Sequence, residues 1–220
     1  MSRIAHVGCL EVVSPTFVAS SMSNLSLTST NFQWIPDYVT FSCELKFVDK
    51  RQNKQIRWDL SKNCALLNGY PQLFVKGEKG IKQINAAVKH LTNQNFNIGF
   101  NEDTGLYVHI GLYKQPYYLE DLKRICHNFL KYESCINQIM MSQNRRQQNS
   151  DCLSHRSFFP KSNVETKDMI YSCESVKDLQ HLMCKNASNF KLNLMNIYTK
   201  GTIEFRQHAG TLDTHKVELW

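Results

Sequence analysis

The sequence has no long hydrophobic run. None of its 220 residues falls in a stretch approaching the roughly 20 consecutive apolar residues of a membrane helix, and Met1 to Pro15 lacks the basic start and apolar core of a secretion leader. A soluble, cytoplasmic protein that does not engage a membrane is the expectation. Cys-x-x-Cys is absent too: the eight cysteines, at 9, 43, 64, 126, 135, 152, 173 and 184, lie nine or more residues apart. Structural zinc normally shows close ligand pairs, so only a site built from distant Cys and His is left open, and without a leader the thiols read as reduced. Concentrated positive charge is also missing. The formal charge is 26 minus 19, or +7, divided as nine basic and six acidic residues over 1–79 and seventeen and thirteen over 80–220. That spread argues against a dedicated nucleic-acid binder and suits anionic small ligands such as nucleotide phosphates.

What is present is an ordinary globular composition, 42% apolar and 20% charged, which suffices for one sizeable core and a single domain over 1–220. Ile81, Ile84, Val88 and Leu91 recur at helical steps after Gly77 and Gly80. Leu106, Val108, Ile110 and Leu112 alternate with Tyr107, His109, Gly111 and Tyr113, a half-buried strand with His109 on its non-aliphatic face. Leu119, Leu122, Ile125, Cys126, Phe129, Ile136, Ile139 and Met140 form a helical stripe over about 117–142. Residues 143–165 are polar and broken by Pro160, Ser175 to Leu182 makes a short helix, and strands over about 191–197 and 202–208 close the chain.

The first third differs in kind. Val7 to Val13 reads as a strand ended by Ser14-Pro15, but 18–70 shows no coherent pattern, and nine of the twelve residues from Ser20 to Asn31 are Ser, Thr or Asn.

Most chemical information lies in Gly201-Thr-Ile-Glu-Phe-Arg-Gln-His-Ala-Gly-Thr-Leu-Asp213. Period two along a strand puts Glu204, Arg206 and His208 on one face and Ile203 and Phe205 in the core. A carboxylate, a guanidinium and an imidazole on one sheet surface suit metal-phosphate chemistry, in which the carboxylate holds a hard cation and the arginine neutralises a transferring phosphoryl group. A salt-bridged exposed strand face is the alternative. His109 and Glu11 are two further side chains able to bind metal in strand-like segments.

Together with Leu10-Glu-Val-Val-Ser-Pro15, Gly77-Glu-Lys-Gly80, Thr104-Gly-Leu-Tyr-Val-His-Ile110, Tyr132-Glu133 followed by Arg145-Arg146, and Leu192-Asn-Leu194, this segment resembles the amidoligase family of the glutamine-synthetase-like carboxylate–amine ligases. The resemblance covers roughly 7–17 and 73–220. It implies an α+β fold, a curved antiparallel sheet with helices packed on one face and a metal-nucleotide site on the other. By match of motif, Glu11, His109 and Glu204 would be metal ligands and Arg206 the phosphate or transition-state cation, with His208 a further catalytic candidate and Arg145 and Arg146 nucleotide contacts. The implied reaction is ATP-dependent amide or isopeptide formation through an acyl phosphate, with Mg²⁺ or Mn²⁺. The partners would be small-molecule or peptide carboxylates and amines. A catalytically inactive relative that binds nucleotide or a protein or peptide partner is the alternative.

Two departures from the family pattern stand out. The family carries a strand with a Glu-x-Glu signature ahead of the Glu-Val-Val-Ser-Pro segment, and no Glu-x-Glu occurs here. Residues 18–70 interrupt what is normally a short link. Residues 18–70 read as translated non-coding sequence or a lineage-specific loop, and the expectation that accounts for both departures is a gene model that starts late and retains an intron, with an interior strand missing at the N-terminus and a chain truncated at Trp220.

Overall fold

In a computed structural model of the protein, the described residues are 39–65, 75–94, 96–112, 116–140, 150 and 152–220. The strand over Val7 to Val13, the Ser/Thr/Asn-rich tract, Glu11, Arg145 and Arg146 lie outside them.

Among the described residues, eight strands form one open antiparallel sheet: β1 (Val39–Asp49), β2 (Lys54–Asp59), β3 (Cys64–Ala65), β4 (Val75–Lys76), β5 (Ile98–Gly99), β6 (Gly105–Leu112), β7 (Leu192–Asn193) and β8 (Thr202–Ala209). The order is β3-β2-β1-β6-β8-β7, with β4 and β5 as short additions that pair with β1. The helices are α1 (Gly77–Thr92), α2 (Leu119–Met140), α3 (Asn163–Tyr171), α4 (Val176–Cys184), α5 (Ile197–Lys200) and α6 (Thr214–Leu219), with a 3-10 turn over His155–Ser157. Among the described residues no helix is long and apolar enough to cross a membrane.

The segment 18–70 contains the longest strand of the sheet. In β1, Phe41, Cys43, Leu45 and Phe47 alternate with Thr40, Ser42, Glu44 and Lys46, so one face is apolar and the other polar. The register carries this split across the sheet. Leu45 opposes Trp58 and Leu106, Cys43 opposes Val108, and Val108 opposes Phe205, which opposes Leu192. These side chains join two apolar clusters, one with Ile84, Val88 and Leu91 of α1, the other with Leu122, Cys126, Phe129 and Leu130 of α2 and Leu179 and Met183 of α4. The core therefore lies on the helix side of the sheet.

Local chemistry fixes the joints. Buried Asp49 closes the β1–β2 turn, its Oδ1 accepting from Arg51 N at 3.1 Å, while Asn53 takes a left-handed conformation that asparagine tolerates. Gly77 has φ +48° where β4 enters α1, and a Cβ on Gly80 would stand 2.8 Å from Val75 Cβ and 2.9 Å from the Phe41 ring. Ser162 and Ser175 cap α3 and α4 by accepting from Glu165 N and Asp178 N. The expected strand over 191–197 is shortened to Leu192–Asn193, because Asn193 Oδ1 accepts from Met195 N at 2.9 Å and turns the chain into α5.

Candidate active site on the polar sheet face

Period two places one row of polar residues straight across four strands. Ser42 of β1 opposes His109 of β6, His109 opposes Glu204 of β8, and Glu204 opposes Asn193 of β7. The neighbouring row runs from Asp59 through Glu44 to Tyr107. Residues of both rows are buried.

Glu204 is the hub. Its Oε1 accepts from Arg206 Nη1 at 2.7 Å, and its Oε2 accepts from Asn193 Nδ2 at 2.7 Å and Asn196 Nδ2 at 3.3 Å. Arg206 also lies over the Tyr107 ring, 4.3 Å from its centroid. Burial works against the Arg206 charge, but Glu204 and Tyr107 outweigh it and hold its pKa above the ordinary value. Glu44 is closed by a bidentate fork, with Arg57 Nε at 2.5 Å from Oε1 and Nη2 at 2.7 Å from Oε2. His109 is pushed down to about 4, chiefly by burial and next by the Lys200 charge, so it is neutral at pH 7. Its Nε2 stands 3.7 Å from Glu204 Oε1, beyond hydrogen-bond reach. Lys200, at the end of α5, is lowered by burial against the pull of Glu204 and Glu44.

His208 departs from the strand-period expectation. Between Val108↔Phe205 and Leu106↔His208, β6 advances two residues and β8 three. This β-bulge sets both Arg206 and Gln207 opposite Tyr107 and inverts the phase beyond them. Glu204 and Arg206 keep the polar face, whereas His208 pairs with the core residue Leu106 and lies against the Trp220 ring, at 5.6 Å between centroids. The structure thus brings His109, Glu204 and Arg206 together and sends His208 to the helix side.

Ser42, Glu44, Arg57, Asn193, Asn196 and Lys200 have no role in the sequence reading. Phe41-Ser-Cys-Glu-Leu-Lys-Phe47 carries a clean alternation that the unpatterned tract before it obscures. That strand, β1, is interior to the sheet, and its polar face carries Ser42, Glu44 and Lys46.

A divalent ion finds a sparse donor set here. Among the described residues no group of three or more His, Cys, Asp or Glu side chains is arranged to hold a metal. His109 and Glu204 are neighbours, and Glu11, the third implied ligand, lies outside the described residues. Both oxygens of Glu204 and of Glu44 are already taken by guanidinium or amide donors.

A family model described as "Putative amidoligase enzyme" matches residues 71–220. The chain belongs to this family. No curated protein and no solved structure matches it. The amidoligase match takes in every element from β4 to α6, and with them His109, Glu204 and Arg206. It stops short of β1 and β2, so Glu44 and Arg57 enter the site from outside the matched range.

Proposed function

We propose that this amidoligase joins a carboxylate to an amine at the expense of ATP, with a glutamine-synthetase-like sheet presenting the site on its polar face. Membership of an amidoligase family supports the ligase chemistry, and the row Ser42–His109–Glu204 with Arg206 alongside is the observation that carries the location. A phosphorylated carboxylate needs cationic groups where the phosphoryl charge gathers, and Arg206, Arg57 and Lys200 surround that row. In the proposed reaction the substrate carboxylate attacks the γ-phosphorus and ADP leaves. The amine then attacks the acyl carbon and inorganic phosphate leaves. Arg206, braced by Glu204 and Tyr107, would neutralise charge on the transferred phosphoryl group. Neutral His109 would donate or accept a proton at Nε2. A magnesium or manganese ion would neutralise phosphate charge if bound, and among the described residues His109 and Glu204 would hold it only if Glu204 gave up one of its hydrogen bonds.

The test is ADP release from ATP in the presence of mixed amino-acid and peptide carboxylates and amines. Glu204→Gln and Arg206→Ala should abolish substrate-dependent release, and undiminished turnover in either variant overturns the assignment. The closed Glu44–Arg57 and Glu204–Arg206 pairs favour one second reading, a relative that binds nucleotide without turning it over. ATP binding without any ADP release under all substrate mixtures would establish that reading.

A further inference from the structure

We infer that the polar sheet face binds a polyphosphate directly on Arg57, Arg206 and Lys200, without requiring a divalent cation. This rests on the reading of that face as the nucleotide site.

Three observations carry it. First, the two carboxylates paired with arginine, Glu44 and Glu204, are committed. Glu44 holds Arg57 through two parallel hydrogen bonds, and Glu204 holds Arg206, Asn193 and Asn196. A divalent ion would have to displace the Arg57 guanidinium from Glu44, or either the Arg206 guanidinium or the Asn193 and Asn196 amides from Glu204, and would then sit among cations. Second, on this face Lys200, Arg206 and Arg57 stand against Glu44, Glu204 and Asp59, so the cations balance the carboxylates. Lys76, opposite Thr40, adds another cation on the same face. The chain itself thus provides the positive charge that metal-dependent phosphate sites draw from an ion.

Third, buried donors on this face lack partners. Ser42 Oγ, His109 Nε2 and Thr202 Oγ1 make no hydrogen bond, and all three residues are at most 2% exposed. Buried polar atoms are normally satisfied, so three of them on one face point to a missing acceptor. Two are hydroxyls and one is an imidazole nitrogen that can carry a proton, a set suited to phosphate oxygens. The Arg57 side chain is 36% exposed, so an anion can meet it from solvent.

The test is calorimetric titration of the full chain with ATP and, separately, with inorganic tripolyphosphate, in excess EDTA and in excess magnesium chloride. Affinity in EDTA should lie within about threefold of that in magnesium. Arg57→Gln should weaken binding in EDTA by about tenfold or more, the loss of a charge-assisted contact. Because that variant leaves Glu44 buried without its partner, Ser42→Ala serves as the control that keeps the fold. It removes an unpartnered hydroxyl and should weaken binding about threefold to tenfold. Binding in magnesium that falls tenfold or more in EDTA overturns the inference and leaves the ligase reading standing. Unchanged affinity in Ser42→Ala also overturns it. No binding in either medium overturns both.

Discussion

Arg206 reaches back along its own strand to Glu204, with Nη1 2.7 Å from Oε1, and 13% of its side chain is exposed against 1% for the carboxylate. Breaking a buried pair from one side leaves an uncompensated charge, at a cost of about 3–5 kcal/mol. Arg206→Ala should therefore lower unfolding free energy by roughly that amount. Glu204→Gln keeps the shape and the hydrogen-bonding capacity and should cost about 1–3 kcal/mol. The double variant should lose less than the sum of the two. Urea unfolding of the four proteins measures the cycle, and strict additivity would refute the coupling. The cycle also separates loss of ADP release from loss of fold in the two active-site variants.

How far the site could be read from sequence follows from period and from phase. His109 alternates with core residues over eight unbroken positions of β6, and its face is right. Glu204 and Arg206 are two apart with no irregularity between them, and they too share the polar face. His208 is misplaced because a bulge adds one residue to β8, and nothing in Thr-Ile-Glu-Phe-Arg-Gln-His-Ala marks where alternation slips. The strand β1 is legible only in a short window, since its alternating apolar residues Phe41, Cys43, Leu45 and Phe47 are diluted by the polar tract ahead of them. Asn193 and Asn196 show their role only when the turn after β7 brings both amides onto one carboxylate oxygen.

The bulge itself makes a prediction. With His208 packed among Leu106 and Trp220 on the helix side, His208→Ala should cost about 1–2 kcal/mol of stability through lost packing. ATP affinity should stay within about twofold of the parent, a difference of under 0.5 kcal/mol. Thermal unfolding and calorimetry on the same preparation check both. A large fall in affinity with unchanged stability would place the imidazole on the polar face instead.

Acid should destabilise the protein well above the carboxylate range. His155 is fully buried, stacked on Phe190 at 4.9 Å, and its Nε2 accepts from Leu192 N at 3.1 Å. Burial, aided by Lys191 and opposed by Glu133, pushes it down to about 4 from an ordinary 6.5. A folded pKa below the unfolded one means that the unfolded chain binds the extra proton. The stability is therefore full above about pH 6.5 and is lost as pH falls toward about 4. By pH 5 the loss from this one group is about 2 kcal/mol. His109, also pushed down to about 4, adds to the same slope. His155→Gln keeps an acceptor for Leu192 N and should flatten the pH 5–7 stability profile by about half. A profile of unchanged slope would show that His155 does not titrate on unfolding.

Behind the site, Lys191 Nζ meets Glu133 Oε1 at 3.0 Å with both residues buried, and Ser154 Oγ donates to the same oxygen at 2.5 Å. This pair ties α2 to the chain entering β7. It bears on the bulge, because Lys191 O accepts from Arg206 N at 2.8 Å and Asn193 lies two residues further on. Lys191→Met removes the charge and keeps the length of the side chain, leaving the buried Glu133 carboxyl with one hydroxyl donor. The expected loss is about 3–5 kcal/mol. Replacing both ends, Glu133→Gln with Lys191→Met, removes the stranded carboxyl and should recover about half of that loss, since buried ion pairs often give way to neutral groups at little cost. If the single and double variants are equally destabilised in urea, the stranded carboxylate is not the cause, and the pair contributes by packing alone.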